Sequence, residues 1–305
     1  MRRVRYGATG GPLFLEEAPV PQPGPGELLV RCEAIGVTLP VVRKVTEAAE
    51  PVPLGGEIAG EVMAVGPGAD RFRAGDRVTG LCFGHGYADY ALLHVGMASP
   101  VPDTATAVEA VALVRSGLVA LGALEAARPE RGEAALVTAA ASGVGHLAVQ
   151  LARVRGAGRV VGAVSDPAKA GFVRSLGADD VVTYGQEGWG EPVDYALDAV
   201  GGDMLSHALA ALTAGGRLVA YSSGGGTIRA YDLLVGAKSV IGFQMARIAR
   251  EEPELYERWR QELWRLFEEG ALKPVVHGEF ALEEATEAHA AIESRVNRGK
   301  VVLHP

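Results

Sequence analysis

Hydrophobic and polar positions change rhythm near residue 108. Beyond it, continuous apolar, β-branched runs fall at 134–139, 159–164, 180–184, 193–199, 216–221 and 239–243, with helical spacing between most of them. Buried parallel strands read as such unbroken runs, and their alternation with helices predicts an α/β, doubly wound parallel sheet of six strands. Before residue 108 the runs are short and set apart by glycine-rich turns: Leu28–Ala34, Gly60–Val65, Arg77–Gly80 and Ala88–Leu93, after a Pro/Gly connection over 19–26. That half predicts a compact, mostly β unit. After residue 250, Leu255, Trp259, Leu263, Leu266 and Phe267 mark one face of a helix that Pro253 opens and Gly270 closes. A β segment, a helix over 282–295 and a last strand Lys300–Leu303 hold too little core to stand alone. The expected domains are 1–107 joined with 246–305, and 108–245 between them.

Within this pattern, Ala135–Leu151 reads as a buried strand, a small-residue turn and a helix with apolar positions Val144, Leu147, Ala148, Leu151 and Val154. A strand–turn–helix of this kind lets backbone approach a pyrophosphate and points free helix N–H groups at it. The motif is not a full GxGxxG: Ala140 and Ser142 hold the first two glycine positions, Gly145 the third, and Gly143 adds a small residue. Ser142, Gly143, Val144 and Gly145 are the candidate phosphate cradle.

Composition narrows the classes. The chain of 305 residues is 48% hydrophobic and 22% charged, ordinary for a folded protein. Its net charge of −8 opposes nucleic-acid binding. Two cysteines, Cys32 and Cys82, make neither a disulfide framework nor a four-cysteine zinc site. The longest apolar run, around 134–152, is broken by Ser142, His146 and Gln150, so no membrane span is expected. The expectation is a soluble, cytoplasmic protein with a small-molecule substrate. The apolar run near 239–243, read as an edge strand, invites pairing with its twin in a homodimer.

Gly55-Gly-Glu-Ile-Ala-Gly-Glu-Val-Met-Ala-Val-Gly66, Phe72-Arg-Ala-Gly-Asp-Arg-Val78, Gly86-Tyr-Ala-Asp-Tyr90, Ala139–Gly145, Gly215-Gly-Arg-Leu-Val219 and Gly299-Lys-Val-Val-Leu303 occur in that order. Together they resemble the medium-chain dehydrogenase/reductase family, and within it the zinc-free quinone oxidoreductase group. The resemblance spans essentially the whole chain. It implies a Rossmann domain inserted in a mostly β, GroES-like catalytic domain built from both chain ends. Zinc members carry a histidine just before the signature glutamate, where this chain has Gly56. The first cysteine ligand's place falls on Thr38, and the third falls within Ala112–Arg115, which holds no ordinary zinc ligand. No metal is expected.

The second strand of the predicted Rossmann sheet ends at Ser165-Asp-Pro167. Asp166 before Pro167 reads as a helix cap rather than as the ribose-binding acid of an NAD site. The resemblance implies that Ser165, Lys169 and Tyr184 surround a 2′-phosphate, so the expected cofactor is NADPH. By the same resemblance Val200, Tyr221, Ser222, Phe243 and Asn297 contact it. Without a metal, hydride transfer to a quinone or other α,β-unsaturated carbonyl compound is the expected chemistry. Relatives carry Asn and Thr near the reacting ring where this chain has Thr38 and Val119, which leaves Thr38 as the candidate catalytic donor. Cys82, His85, Tyr87 and His289 read as structural, and His146 as outward-facing. The alternatives are an NADPH-binding redox sensor or structural protein with little catalysis, and a zinc alcohol dehydrogenase, which Gly56 opposes.

Overall fold

The computed structural model describes residues 1–221 and 224–305. The chain folds as two compact units, Met1–Arg115 with Pro274–Pro305, and Ser116–Lys273. The first begins with a hairpin of β1 (Arg2–Tyr6) and β2 (Leu13–Glu17). There follow β3 (Glu27–Val37), α1 (Leu39–Glu47), β4 (Gly56–Val65), β5 (Arg77–Cys82), β6 (Tyr90–His94) and β7 (Ser99–Pro100). The long helix α2 (Ala107–Ala127) runs from the first unit into the second. The second unit continues with β8 (Ala134–Val137), α3 (Gly145–Val154), β9 (Arg159–Val164), α4 (Ala170–Ser175), β10 (Asp180–Thr183) and β11 (Val193–Asp198). It ends with α5 (Met204–Ala210), β12 (Leu212–Ala220), α6 (Ala230–Gly236), β13 (Ser239–Gly242), α7 (Met245–Glu251) and α8 (Pro253–Glu268). The chain then returns to the first unit with β14 (Val276–Ala281), α9 (Ala285–Glu293) and β15 (Lys300–His304).

In the first unit, eleven-residue β3 pairs with β4 along one edge and is shared on the other. There β6 takes Glu27–Arg31 and β15 takes Ile35–Val37. The last strand thereby stitches the C-terminal segment onto the N-terminal sheet. Val30, Ile35, Ile58, Val78 and Leu303 are wholly buried in the core beneath.

The second unit holds six parallel strands in the order β10-β9-β8-β11-β12-β13. This is the doubly wound order in which the connections reverse direction between the first and fourth strands, here β8 and β11. Helices on both faces bury β9 and β11 almost throughout, which explains their unbroken apolar sequence.

Two helices differ from the sequence reading. α2 is the chain's longest apolar helix, long enough to cross a membrane, but 78% of its apolar window is buried in the protein, as in a core helix. Gly117 and Gly122 on it give room to neighbours: a Cβ at 122 would stand 2.3 Å from the Phe243 ring and 2.8 Å from Trp259. Because α8 packs Trp259 and Leu263 onto these glycines, it belongs with the second unit rather than with the C-terminal tail. Its buried face is Tyr256, Trp259, Arg260, Leu263 and Leu266, with Leu255 and Phe267 only half-buried.

Candidate cofactor site

The turn between β8 and α3 is built tightly. Ala139 adopts φ +48°, and its N–H donates to the Tyr184 hydroxyl at 2.9 Å. Ala140 N–H donates to Ala163 O at 3.1 Å, fastening the turn to the end of β9. Gly145 is required where α3 begins, since a Cβ there would meet the Ala139 carbonyl oxygen at 2.1 Å. Ser142 Oγ accepts the Gly145 N–H at 3.0 Å, so one orphan donor of the helix start is satisfied within the turn. The N–H groups of Gly143 and Val144 have no acceptor among the described residues, and both residues are half-buried. Two aligned, unspent donors at the start of a ten-residue helix suit an anion.

His146 is wholly buried, not outward-facing. Its ring turns back one helical turn, with Nδ1 2.9 Å from Ser142 O. The expectation failed because a helix-start imidazole was read as solvated, when the preceding turn offers it a carbonyl. Val154, at the far end of α3, is 39% exposed and lies off the buried stripe.

The other candidates of this unit follow the carboxyl ends of successive strands. Ser165 follows β9, and Tyr184 follows β10 alongside it, its N–H donating to Val164 O at 3.0 Å. Asp166 Oδ1 accepts the Ala168 N–H at 2.8 Å, the capping role expected of it. The short 3-10 turn Pro167–Lys169 then brings in Lys169, which is buried at 7% exposure rather than a free surface cation. Val200 follows β11, Tyr221 follows β12 and Phe243 follows β13. The Tyr221 hydroxyl is buried with no hydrogen-bond partner among the described residues, and burial beside Asp198 raises its pKa. Phe243 is committed to packing, its ring 6.3 Å from that of Trp259. Ser222 lies outside the described residues.

Thr138 and Asp198 are part of this site, and the sequence reading missed them. Asp198, fully buried at the end of β11, accepts the Thr138 hydroxyl at 2.8 Å and the Gly201 N–H at 2.7 Å. Thr138 Oγ1 in turn accepts the Ala199 N–H at 2.9 Å. This bracket locks β8 to β11 at the point where the sheet reverses. A lone acid closing an apolar strand run, Asp198 after Tyr195-Ala-Leu, was its available signal.

In the first unit, Thr38 precedes α1 in extended geometry and its carbonyl accepts from Val41 and Val42. Its half-buried hydroxyl makes no hydrogen bond among the described residues. Asn297 Nδ2 donates to Gly299 O at 3.1 Å and so shapes the turn before β15. Cys32 and Cys82 are free and buried, and burial pushes the Cys82 thiol up to about 11, unsuited to a nucleophile. Burial, followed by Arg3 and Arg5, lowers the His85 pKa. Tyr87 is fully buried, and its hydroxyl lies 3.3 Å from His289 Nε2.

The positions at which zinc relatives place their ligands carry other residue types here. At Gly56 a Cβ would stand 3.2 Å from Gly36 O, 3.7 Å from the Tyr87 ring and 3.8 Å from Val41. Thr38 offers only a hydroxyl, and Arg115 closes the third stretch with a cation. No group of three His, Cys, Asp or Glu stands together among the described residues.

Comparison with known proteins agrees with this architecture. Residues 24–114 match the alcohol dehydrogenase GroES-like domain, and residues 176–303 match the zinc-binding dehydrogenase family. The chain is 32% identical over 326 residues to a quinone oxidoreductase of Pseudomonas aeruginosa, covering 100% of this chain and 99% of the relative. The chain belongs to the quinone oxidoreductase group of the medium-chain dehydrogenase/reductase family. A mycobacterial protein solved with NADPH superposes with TM-score 0.93 at 31% identity, over 100% of both chains. The quinone oxidoreductase of Thermus thermophilus, also solved with NADPH, superposes with TM-score 0.86 at 31% identity over 100% of both chains. The fold is therefore a Rossmann-like parallel sheet inserted in a GroES-like domain.

Proposed function

We propose that the chain is an NADPH-dependent oxidoreductase that reduces quinones and other α,β-unsaturated carbonyl compounds without a metal. The observation that carries the reading is the meeting of two features. Unspent N–H groups of Gly143 and Val144 stand at the start of α3, and Ser165 and Tyr184 follow the adjoining ends of β9 and β10, with Lys169 on the turn beyond Ser165. Ser142, Gly143, Val144 and Gly145 hold the pyrophosphate, and the other three residues hold the 2′-phosphate. Lys169, as a buried ammonium, favours a dianionic phosphate over a ribose hydroxyl. Tyr221 supplies a buried hydroxyl that needs a partner, and the resemblance assigns the remaining contacts to Val200, Ser222, Phe243 and Asn297, of which Phe243 is already packed beside Trp259. Bound NADPH supplies hydride.

Gly56, Thr38 and Ala112–Arg115 offer no ligand set for a Lewis-acidic zinc, so on this reading the acceptor brings its own polarised double bond. Thr38 offers one free hydroxyl to the acceptor oxygen. Buried, unpaired thiols fit a reducing cytoplasmic setting. Partner-free β13 at the sheet edge, beside α6 with Tyr231, Leu234 and Val235 at 68%, 76% and 69% exposure, fits a two-fold homodimer. Val119, buried where relatives carry Thr, favours the second reading, an NADPH-binding sensor with weak catalysis.

Anaerobic stopped-flow mixing of the NADPH-loaded protein with a panel of quinones and enones separates the two. The reductase reading expects saturable loss of the reduced-nicotinamide absorbance with at least one acceptor. Tight NADPH binding with no oxidation across the panel favours the sensor.

A further inference from the structure

Every polar atom of Ser142, in the turn before α3, is engaged. Its N–H donates to Ala139 O at 2.8 Å, and its Oγ accepts the Gly145 N–H at 3.0 Å. Its carbonyl oxygen meets two nitrogens of His146: the backbone N–H at 3.0 Å and ring Nδ1 at 2.9 Å. The backbone bond is the ordinary one of a helix, four residues back, and the ring bond is additional. A carbonyl oxygen only accepts, so Nδ1 carries a proton, in the neutral ring as in the charged one. His146 is wholly buried, and the helical turn that carries it is clamped in its own right. Gln150 Nε2 donates to His146 O at 3.0 Å and to Lys273 O at 3.0 Å, and its Oε1 accepts the Lys273 N–H at 2.9 Å. All of these residues belong to the second unit.

The Ser142–Gly143 peptide is planar and trans, so its C=O and N–H point in opposite directions. Fixing the Ser142 carbonyl therefore also aims the Gly143 N–H, one of the two donors left unspent at the start of α3. A peptide that precedes a glycine turns over readily, because no Cβ resists the rotation, and Gly143 lies in this turn. Two donors on one carbonyl hold the peptide against that rotation. We propose that His146 is a positioning residue of the cofactor cradle: its Nδ1–H pins the Ser142 carbonyl and so aims the Gly143 N–H at the pyrophosphate. The proposal rests on the NADPH reading above and deepens it.

The test separates the donor from the volume of the side chain. His146→Phe keeps a ring of similar size and loses the donor, whereas His146→Asn loses volume and keeps an N–H close to the place of Nδ1. Calorimetric titration, well below the melting temperature of each variant, gives Kd for NADPH and for ADP, whose diphosphate stands for the cofactor's pyrophosphate. His146→Phe should weaken both ligands on the order of tenfold, and His146→Asn should stay within about threefold of the wild type. Adenosine 2′-monophosphate, which has no pyrophosphate, should change by less than about twofold in either variant. A merely structural bond would lower the melting temperature and leave the affinity of the folded protein unchanged, so affinity that follows the donor and not the melting temperature marks positioning. If His146→Phe fails to fold by circular dichroism, His146→Leu, also without the donor, carries the comparison. A donorless variant that binds ADP as tightly as the wild type, or an Asn variant that loses as much as the Phe variant, overturns the proposal and leaves the cofactor reading standing. A wild type that binds neither ADP nor NADPH sinks both.

Discussion

Replacing Gly145 by alanine tests the cradle with one methyl group. The added Cβ would lie 2.1 Å from Ala139 O, 2.8 Å from Ala139 C and 2.9 Å from Ala140 Cα, all backbone atoms. Contacts under 3.0 Å do not occur, so turn and helix must part by about 0.9 Å. The strand side of the turn resists, because Ala139 and Ala140 are pinned by bonds of 2.9 Å and 3.1 Å to Tyr184 and β9. The start of α3 therefore moves, and with it the Gly143 and Val144 donors. Overpacking of this kind costs about 1–3 kcal/mol of stability. A misaligned hydrogen bond to a charged group forfeits about 1.5–3 kcal/mol of binding, which raises Kd about 10- to 150-fold. Isothermal titration with NADPH, beside thermal melts of both proteins, reads both effects. A Gly145→Ala protein that binds NADPH as tightly as the wild type would refute the cradle.

Other outcomes follow from particular groups. Lys169→Ala should weaken NADPH binding at least about tenfold and leave NADH within about twofold, since only the former carries the extra phosphate; equal losses would remove Lys169 from the phosphate site. Burial holds the His289 pKa down at about 4, below its unfolded value of about 6.5. The unfolded chain therefore binds the proton first, and this group's stability is complete above about pH 6.5 and is lost as pH falls toward 4, by about 3 kcal/mol in all. Denaturant unfolding from pH 7 to 4 should show that loss in the wild type and not in His289→Leu, and parallel pH slopes would contradict it. Leu234→Glu puts a charge on the exposed face of α6 and should convert a dimer to monomers in sedimentation; an unchanged mass would move the interface elsewhere.

The parallel strands were legible because burial on both faces removes polar positions from them, and all six fell at the expected runs. The turn before α3 was legible because only small residues fit so close to Ala139. The β1–β2 hairpin was not, because Arg3 and Arg5 pair with Glu16 across it and its surface reads as a charged coil. α2 was not singled out in the sequence because a helix apolar on every side has no polar face to give it a period. The burial of Lys169 and the return of His146 to Ser142 O arise from backbone turns that residue type alone does not specify. In the first unit Glu57, Arg115 and Lys300 pair across three distant stretches of chain, and no local pattern announces them.

The central claim is that the strand ends of the second unit hold a phosphorylated nicotinamide cofactor. Calorimetric titration of the wild type with NADPH and NADH side by side tests it most directly. The account predicts binding at one site per chain, with NADPH at least about tenfold tighter than NADH. Equal affinities would contradict the phosphate site, and no binding of either would contradict the account as a whole.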